Sequence, residues 1–215
     1  MTLPPHDAAL LTAALVSDAL DAWGQRHRCL PPEINALDRG SVVVGRAYPV
    51  TVVRPNVVPA VPYVGLLAAL DEIGEGDVYV ISSGGARDVA LWGELLSTIA
   101  IARGVVAAVC DGYVRDASRI RRLGFPVYSR GTVPLDIHGR FEVRGHGDPL
   151  VIEGVTIERG DLLVADDDGV VVVPQDVEAA VVASAIAKAT AEDGFRSDVA
   201  ARMSPSEAWA KHRVL

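Results

Sequence analysis

Two segments hold the residues whose types and spacing could do chemistry: "LWGELLSTIAIARG" (91–104) and "VCDGYVRDASR" (109–119). In the second, Asp111-Gly112 closes an apolar run (105–110), and the ends of such strands are where open α/β sheets place ligands. Arg115 offers a planar fork suited to a carboxylate or an enolate oxygen. Asp116 is a hard oxygen donor of the kind that holds Mg²⁺ together with water. The same residues have a plain structural use: Asp116 as the N-cap of a helix over 116–124, with Arg115 paired to it. Spacing alone leaves the two uses level.

Upstream, "SSGGARDVALWGELL" (82–96) reads as strand, glycines, then helix, an order in which backbone N–H groups and the helix dipole can hold an anion. It has neither the lysine of a phosphate loop nor the dinucleotide glycine spacing, so phosphate-rich cofactors are disfavoured and a carboxylate stays open. An ordinary β-turn-α connection is the commoner use of such a stretch. Glu94, in the first helical turn, either complements the dipole or handles a proton beside the ligand. "ADDDGVVVVP" (165–174) reads as a hairpin turn rather than a cation loop. The five histidines lack zinc-type spacing, with His138 and His146 read as surface loop residues. Arg87 and Asp88 read as a local ion pair without a functional role. No G-x-S-x-G nucleophile motif occurs.

These residues need a scaffold. Of 215 residues half are hydrophobic, enough for one domain over 1–215 with a full core. The net charge of −8 and the lack of a basic face argue against nucleic acid as a partner. Cys29 and Cys110 read as free thiols. The N-terminus lacks signal-peptide order and the apolar runs are too short to span a bilayer, so the expected setting is cytoplasmic, without a membrane partner. Periodicity predicts helices over 7–23, 61–73 and 93–104, the last with Leu95, Leu96, Ile99 and Ala102 inward. Strands are predicted over 41–53, with a bend or bulge at Gly45, and over 77–82, 105–110 and 125–130. Alternation of buried strands with helices gives a parallel sheet. Residues 133–173 read as antiparallel strands and hairpins, followed from about 175 by helices over 179–191 and after "MSPSEAW". The fold class is therefore α/β, with a parallel central sheet and a second, mostly antiparallel β layer.

The order and spacing of "VSDAL", "SSGGARDVALWGELLSTIAIARG", "VCDGYVRD", "GFPVYSRGTVP" and "VTIERGDLLVADDDGVVVVP" resemble the RraA-like family over nearly the whole chain. Its enzymatic members are class II 4-hydroxy-4-methyl-2-oxoglutarate aldolases with oxaloacetate decarboxylase activity. The resemblance implies a three-layer, β/β/α "swivelling" domain, assembled as a homotrimer or homohexamer with active sites between subunits. It implies that the backbone of Gly93, Glu94, Leu95 and Leu96 holds the carboxylate of a pyruvyl substrate. Arg115 would then bind the keto or enolate oxygen, and Asp116 would ligate Mg²⁺ or Mn²⁺ largely through water. Glu192 of a neighbouring subunit is the candidate to approach the metal. The implied reaction is retro-aldol cleavage, with Glu94 taking the C4 hydroxyl proton through water, or decarboxylation; either yields a pyruvate enolate. Lys188 and Lys211, the only lysines, lie in the C-terminal helical section, which disfavours a Schiff-base aldolase. The family's other branch consists of proteins that bind and regulate an RNA-degrading enzyme, and the metal-binding aspartate is absent from that branch. A quinone-biosynthesis methyltransferase has also been attached to the family, but no glycine-rich cofactor loop supports it here. "LDIHGRFEVRGHGDPLVI" (135–152) departs most from the family pattern, so substrate selectivity transfers least there.

Overall fold

The computed structural model of the protein describes residues 4–214. In chain order the elements begin with α1 (Pro5–Ala8), α2 (Ala13–Ala22), β1 (Asn35–Ala36), β2 (Val43–Val53), α3 (Val64–Glu72) and β3 (Asp77–Ser82). Then come β4 (Ala90–Trp92), α4 (Glu94–Ala102), β5 (Ala107–Cys110), β6 (Tyr113–Val114), α5 (Ala117–Leu123) and β7 (Val127–Ser129). The chain continues through β8 (Glu142–His146), β9 (Leu150–Ile152), β10 (Val155–Ile157), β11 (Leu162–Asp166) and β12 (Gly169–Val173). It ends in α6 (Glu178–Ala200) and α7 (Pro205–His212).

The sheet runs β1-β7-β5-β3-β2-β11-β12, with β8 pairing the far part of β2. Its middle, β2-β3-β5-β7, is parallel, as the continuous apolar runs require of strands covered on both faces. Alternation along each strand sorts the core into layers. Tyr48, Val50, Tyr79, Ile81, Ala108 and Cys110 face the helices α3, α4 and α5. Ala47, Val78, Val80, Ala107 and Val109 face the other way, onto Leu150, Ile152, Val155 and Ile157 of the antiparallel β9–β10 hairpin. That hairpin is the second β layer. Helices α2 and α6 cover Leu162, Val164, Val171 and Val173 at the antiparallel end. The order is hairpin, sheet, helices, a β/β/α arrangement. Among the described residues no helix is long and apolar enough to cross a membrane.

Several local expectations are corrected. The helix expected over 7–23 is two helices, because Thr12 is extended and its hydroxyl caps Leu15 N. The Asp166 carboxylate also accepts from Ala13 N at 2.8 Å, pinning the start of α2 to the β11–β12 turn. Gly45 makes neither bend nor bulge; β2 keeps register with β11 there, and the irregularity falls against β8 between Thr51 and Val52. The glycine answers a packing demand instead, since a Cβ would stand 2.7 Å from Val106 Cγ2 and 2.8 Å from the Gly76 carbonyl. On α4 the buried residues are Ser97 and Ala100, whereas Leu95 is 70% exposed and Ala102 is exposed. The last long helix extends to Ala200, and α7 begins inside "MSPSEAW" with Ser204 and Glu207 forming a capping box. The β11–β12 hairpin turns at Asp166–Gly169, as the sequence predicts.

Candidate active site

Two very short strands bring the chemistry together. Ala90–Trp92 and Tyr113–Val114 pair in parallel, and the Arg115 amide donates to the Trp92 carbonyl at 2.9 Å. Immediately beyond this ladder β4 becomes α4 at Gly93, and β6 becomes α5 at Asp116. Residues about twenty apart in sequence therefore start two adjacent helices side by side. The turn into α4 is fixed from within: Trp92 Nε1 donates to Ser97 Oγ at 2.8 Å, and that hydroxyl donates to the Gly93 carbonyl at 3.1 Å.

Gly93 has an extended backbone that any residue adopts (φ −160°). It is glycine because the two segments touch: a Cβ would lie 3.1 Å from Asp116 Oδ2 and 3.2 Å from Arg115 Cγ. No side chain caps α4, so its first N–H groups have no side-chain partner, and Gly93, Glu94, Leu95 and Leu96 line the adjoining cleft. The cleft encloses about 250 Å³ and is lined by these residues with Arg115, Asp116, Asp136, Tyr63 and an apolar wall that includes Leu66, Ile99 and Ile137. Asp116 does not spend its side chain on α5: its backbone is left-handed (φ 57°) and it makes no cap hydrogen bond. Its carboxylate instead lies 3.7 Å from Arg115 Nε and is 42% exposed. The Arg115–Asp116 pairing is thus present, and the helix cap is not.

Arg115 has a second carboxylate partner that the sequence did not reveal. Its Nη1 is 3.3 Å from Asp136 Oδ1, while the Tyr63 hydroxyl donates to Asp136 Oδ2 at 2.6 Å. Tyr63 sits at the start of α3 with φ 64°, a left-handed conformation costly for an aromatic residue, and tilts against His138. Burial pushes the Asp136 carboxyl up, but the Tyr63 hydrogen bond, the Arg115 charge and the Ile137 and His138 amides outweigh it and hold its pKa below the ordinary value. The hydrogen bond to Asp136, with burial, raises the Tyr63 phenol. The sequence reading singled out neither residue: Tyr63 fell within the helix predicted over 61–73 and Asp136 within the divergent 135–152 stretch, and residues so far apart share no periodic signal.

Glu94 lies on the cleft rim, where Thr98 Oγ1 donates to its Oε1 at 3.2 Å and Arg119 Nη1 stands 4.0 Å from Oε2. The upstream glycine loop turns out differently from its sequence reading. It runs into β4 rather than a helix, and the anion it holds is the protein's own Asp111. That buried carboxylate accepts from Ser82 Oγ (2.6 Å), Ser83 N (2.8 Å), Ser83 Oγ (3.0 Å) and Gly85 N (3.0 Å). Asp111 is therefore a brace beneath the site. Asp88 pairs with Arg54 at 2.7 Å, not with its neighbour Arg87. His146 is half-buried against Tyr48, 2.9 Å from its hydroxyl, so of the two loop histidines read as surface residues His138 is exposed and His146 is not. Glu192 lies on α6, paired with Arg196 at 2.6 Å and 4.0 Å from Lys188.

The family model described as "RraA-like: Aldolase/RraA" matches residues 13–172. The chain belongs to the RraA-like family. The matched span contains Tyr63, Gly93–Leu96, Arg115, Asp116 and Asp136, and ends before Glu192. This RraA-like chain is 33% identical over 163 residues to a Halalkalibacterium halodurans protein named "Putative 4-hydroxy-4-methyl-2-oxoglutarate aldolase", covering 76% of this chain and 72% of the relative. It is 32% identical over 188 residues to protein DlpA of Legionella pneumophila, and spans 30% of that protein's length. Among solved structures, RraAS2 of Streptomyces coelicolor, described as an unusual member of the RNase ES inhibitor RraA protein family, superposes with TM-score 0.82 at 31% identity, covering 90% of this chain and 96% of that one. A Pseudomonas syringae protein superposes with TM-score 0.84 at 30% identity, covering 97% of this chain and 98% of that one.

Proposed function

We propose that this RraA-like chain is a lyase that cleaves a C–C bond of a pyruvyl substrate. The observation that carries the reading is the meeting of the uncapped start of α4 with the Arg115 guanidinium in one cleft. Together they suit the two adjacent oxygen groups of a 2-oxo acid. N–H groups at a helix start favour a carboxylate, and Arg115 favours the keto oxygen most strongly once it becomes an enolate.

A divalent cation fits the donor set. Among the described residues no three His, Cys, Asp or Glu side chains gather as ligands, but Asp116 presents an uncapped carboxylate to the cleft, and one carboxylate with water is a common way to hold Mg²⁺. Asp116 would hold Mg²⁺ or Mn²⁺, with Glu192 of a neighbouring copy as a further contributor in a homotrimer or homohexamer. The cation would supply positive charge where negative charge develops on the substrate oxygen.

The chain's own part is as follows. The N–H groups of Gly93–Leu96 hold the carboxylate. Arg115, steadied by Asp136, orients the keto group. Glu94 takes the C4 hydroxyl proton through water, the C3–C4 pair moves to C3, and the resulting enolate takes a proton there to give pyruvate. Decarboxylation of oxaloacetate reaches the same enolate with CO₂ departing.

The test follows pyruvate release from oxaloacetate, 4-hydroxy-4-methyl-2-oxoglutarate and 4-hydroxy-2-oxopentanoate, with and without Mg²⁺ or Mn²⁺. Arg115→Ala is expected to lower kcat about 10²–10³-fold, as loss of an oxyanion donor does. Asp116→Asn should abolish the response to added cation. Turnover indifferent to a chelator would remove the cation from the reading. The likeness to RraAS2 favours a second reading, a protein that regulates an RNA-degrading enzyme by binding it. No turnover of any pyruvyl compound, with binding to such an enzyme, would establish that reading instead.

A further inference from the structure

We infer that Tyr63 is a positioning residue: through Asp136 it holds the Arg115 guanidinium where an enolate oxygen forms. The role rests on the lyase reading for what Arg115 does to substrate, while the contacts that hold Arg115 are all made within one chain. Asp136 Oδ1 accepts from Ile137 N at 2.8 Å and faces Arg115 Nη1 at 3.3 Å. Its Oδ2 accepts from the Tyr63 hydroxyl at 2.6 Å, and its backbone carbonyl accepts from Arg140 Nη1 at 2.9 Å. The loop that carries it is tied to β4 by the Ala90 amide, which donates to the Leu135 carbonyl at 3.0 Å. An aspartate carboxylate turns readily about its Cβ–Cγ bond. The Tyr63 bond on Oδ2 stops that rotation and keeps Oδ1 on the guanidinium.

Tyr63 itself is held more by its two ends than by the packing of its ring. The ring is 41% exposed and stands between two cavities. One is the cleft of about 250 Å³; the other, of about 340 Å³, is apolar and lined with it by Val61, Pro62, Phe141 and Val143. At the backbone end, Tyr63 is left-handed (φ 64°), and its carbonyl already accepts from Leu67 N at 2.9 Å as α3 begins. At the other end the hydroxyl is on Asp136. A strained backbone that aims a hydroxyl at the partner of the site's cationic fork is the pattern of a functional constraint.

Arg115 is held from two sides, by Asp116 Oδ2 at 3.7 Å from Nε and by Asp136 at Nη1. A cation held by Asp116 would take up that carboxylate's charge and leave Asp136 as the anchor of the fork. The Tyr63 bond therefore matters most in the loaded site, when negative charge develops on the substrate oxygen. A guanidinium already in place stabilises that charge without reorganising first.

The experiment is a double-mutant cycle on the intact chain with Tyr63→Phe, which keeps the ring and backbone, and Asp136→Asn, which keeps the side chain's shape. Each is expected to lower kcat for oxaloacetate about tenfold with KM changed by no more than about twofold. The double variant should lose no more than either single one, because the two residues act on Arg115 as a unit. Losses that multiply to about a hundredfold would overturn the inference, as would a Tyr63→Phe variant with the parent's kcat. A second arm needs no turnover: titration calorimetry at one fixed Mg²⁺ concentration compares pyruvate with oxalate, whose adjacent anionic oxygens mimic a pyruvate enolate. Tyr63→Phe should weaken oxalate about tenfold and pyruvate by no more than about twofold. Equal weakening of both would mean a general loosening of the cleft and would also overturn it. A parent that turns over no pyruvyl compound, with the oxalate effect intact, leaves Tyr63 positioning Arg115 and removes the lyase reading.

Discussion

Two glycine-containing segments of this molecule, Ser82–Gly85 and Gly93–Leu96, solve the same electrostatic problem in opposite ways. At Ser82–Gly85, N–H groups and hydroxyls wrap a carboxylate that the protein itself supplies from Asp111. At Gly93–Leu96, a helix start has no side-chain cap, and the nearest carboxylate, Asp116, is turned aside toward Arg115. The first arrangement is complete and therefore structural. The second leaves a helix start without a side-chain partner beside a cleft, which in the proposed function an external anion would complete. Glycines before a helix do not make an anion site; unspent donors do.

The widest contrast is between the two aspartates. Asp111→Asn replaces an acceptor oxygen with an NH₂ group facing a buried ring of donors, and should lower unfolding free energy by about 2–3 kcal/mol. Asp116→Asn keeps a residue that tolerates the left-handed backbone and removes no cap, so its stability should stay within about 0.5 kcal/mol of the parent. Urea denaturation of both variants checks this. Equal losses would mean that Asp116 is structural after all and that the two turns differ less than described.

A finer contrast uses the glycines. Gly93→Ala puts a methyl 3.1 Å from Asp116 Oδ2 and 3.2 Å from Arg115 Cγ, on a backbone alanine can adopt. It should cost about tenfold in kcat/KM, by displacing groups that must be held closely, with little change in stability. Gly85→Ala meets open space but forces φ +77° on alanine. It should cost about 1 kcal/mol of stability and leave activity near that of the parent. Exchange of these two outcomes would sink the assignment of roles.

The reach of the sequence follows the same physical division. Strands of four or more residues with apolar runs, such as Asp77–Ser82 and Ala107–Cys110, and the hairpin at Asp166–Gly169 announce themselves through periodicity and turn chemistry. The G-E-L-L and R-D pair was legible as a resemblance, and the structure brings its members into one cleft. The reason they meet, pairing of β4 and β6, was not legible, because two or three residues carry no period. The inward face assigned to α4 failed at Leu95 for a related reason: the helix is rotated to present its first turn to the cleft, so an exposed leucine marks the mouth. Asp136, from a loop, and Tyr63, at the start of α3, are joined only by tertiary structure.

The smallest expected effect tests the tie between those residues and Arg115. Asp136 titrates below the ordinary aspartate value of 3.8 in the folded chain. A depressed folded pKa means that the unfolded chain binds the proton more readily as pH falls. The stabilisation is therefore fully present above the unfolded value and is lost as pH drops through the lower, folded one. Because the Arg115 and Asp136 side chains are 37% and 32% exposed, solvent screening keeps the contribution to about 0.5 kcal/mol. Denaturation of the parent and of Asp136→Asn should show that difference at pH 6 and its progressive loss as pH falls below the ordinary aspartate value. Tyr63→Phe removes one of the bonds that holds the carboxylate ionised, so it should raise the pH at which the difference fades. A difference independent of pH would mean that Asp136 acts through shape alone, and Arg115 would then owe its position to the β4–β6 ladder rather than to the Tyr63–Asp136 pair.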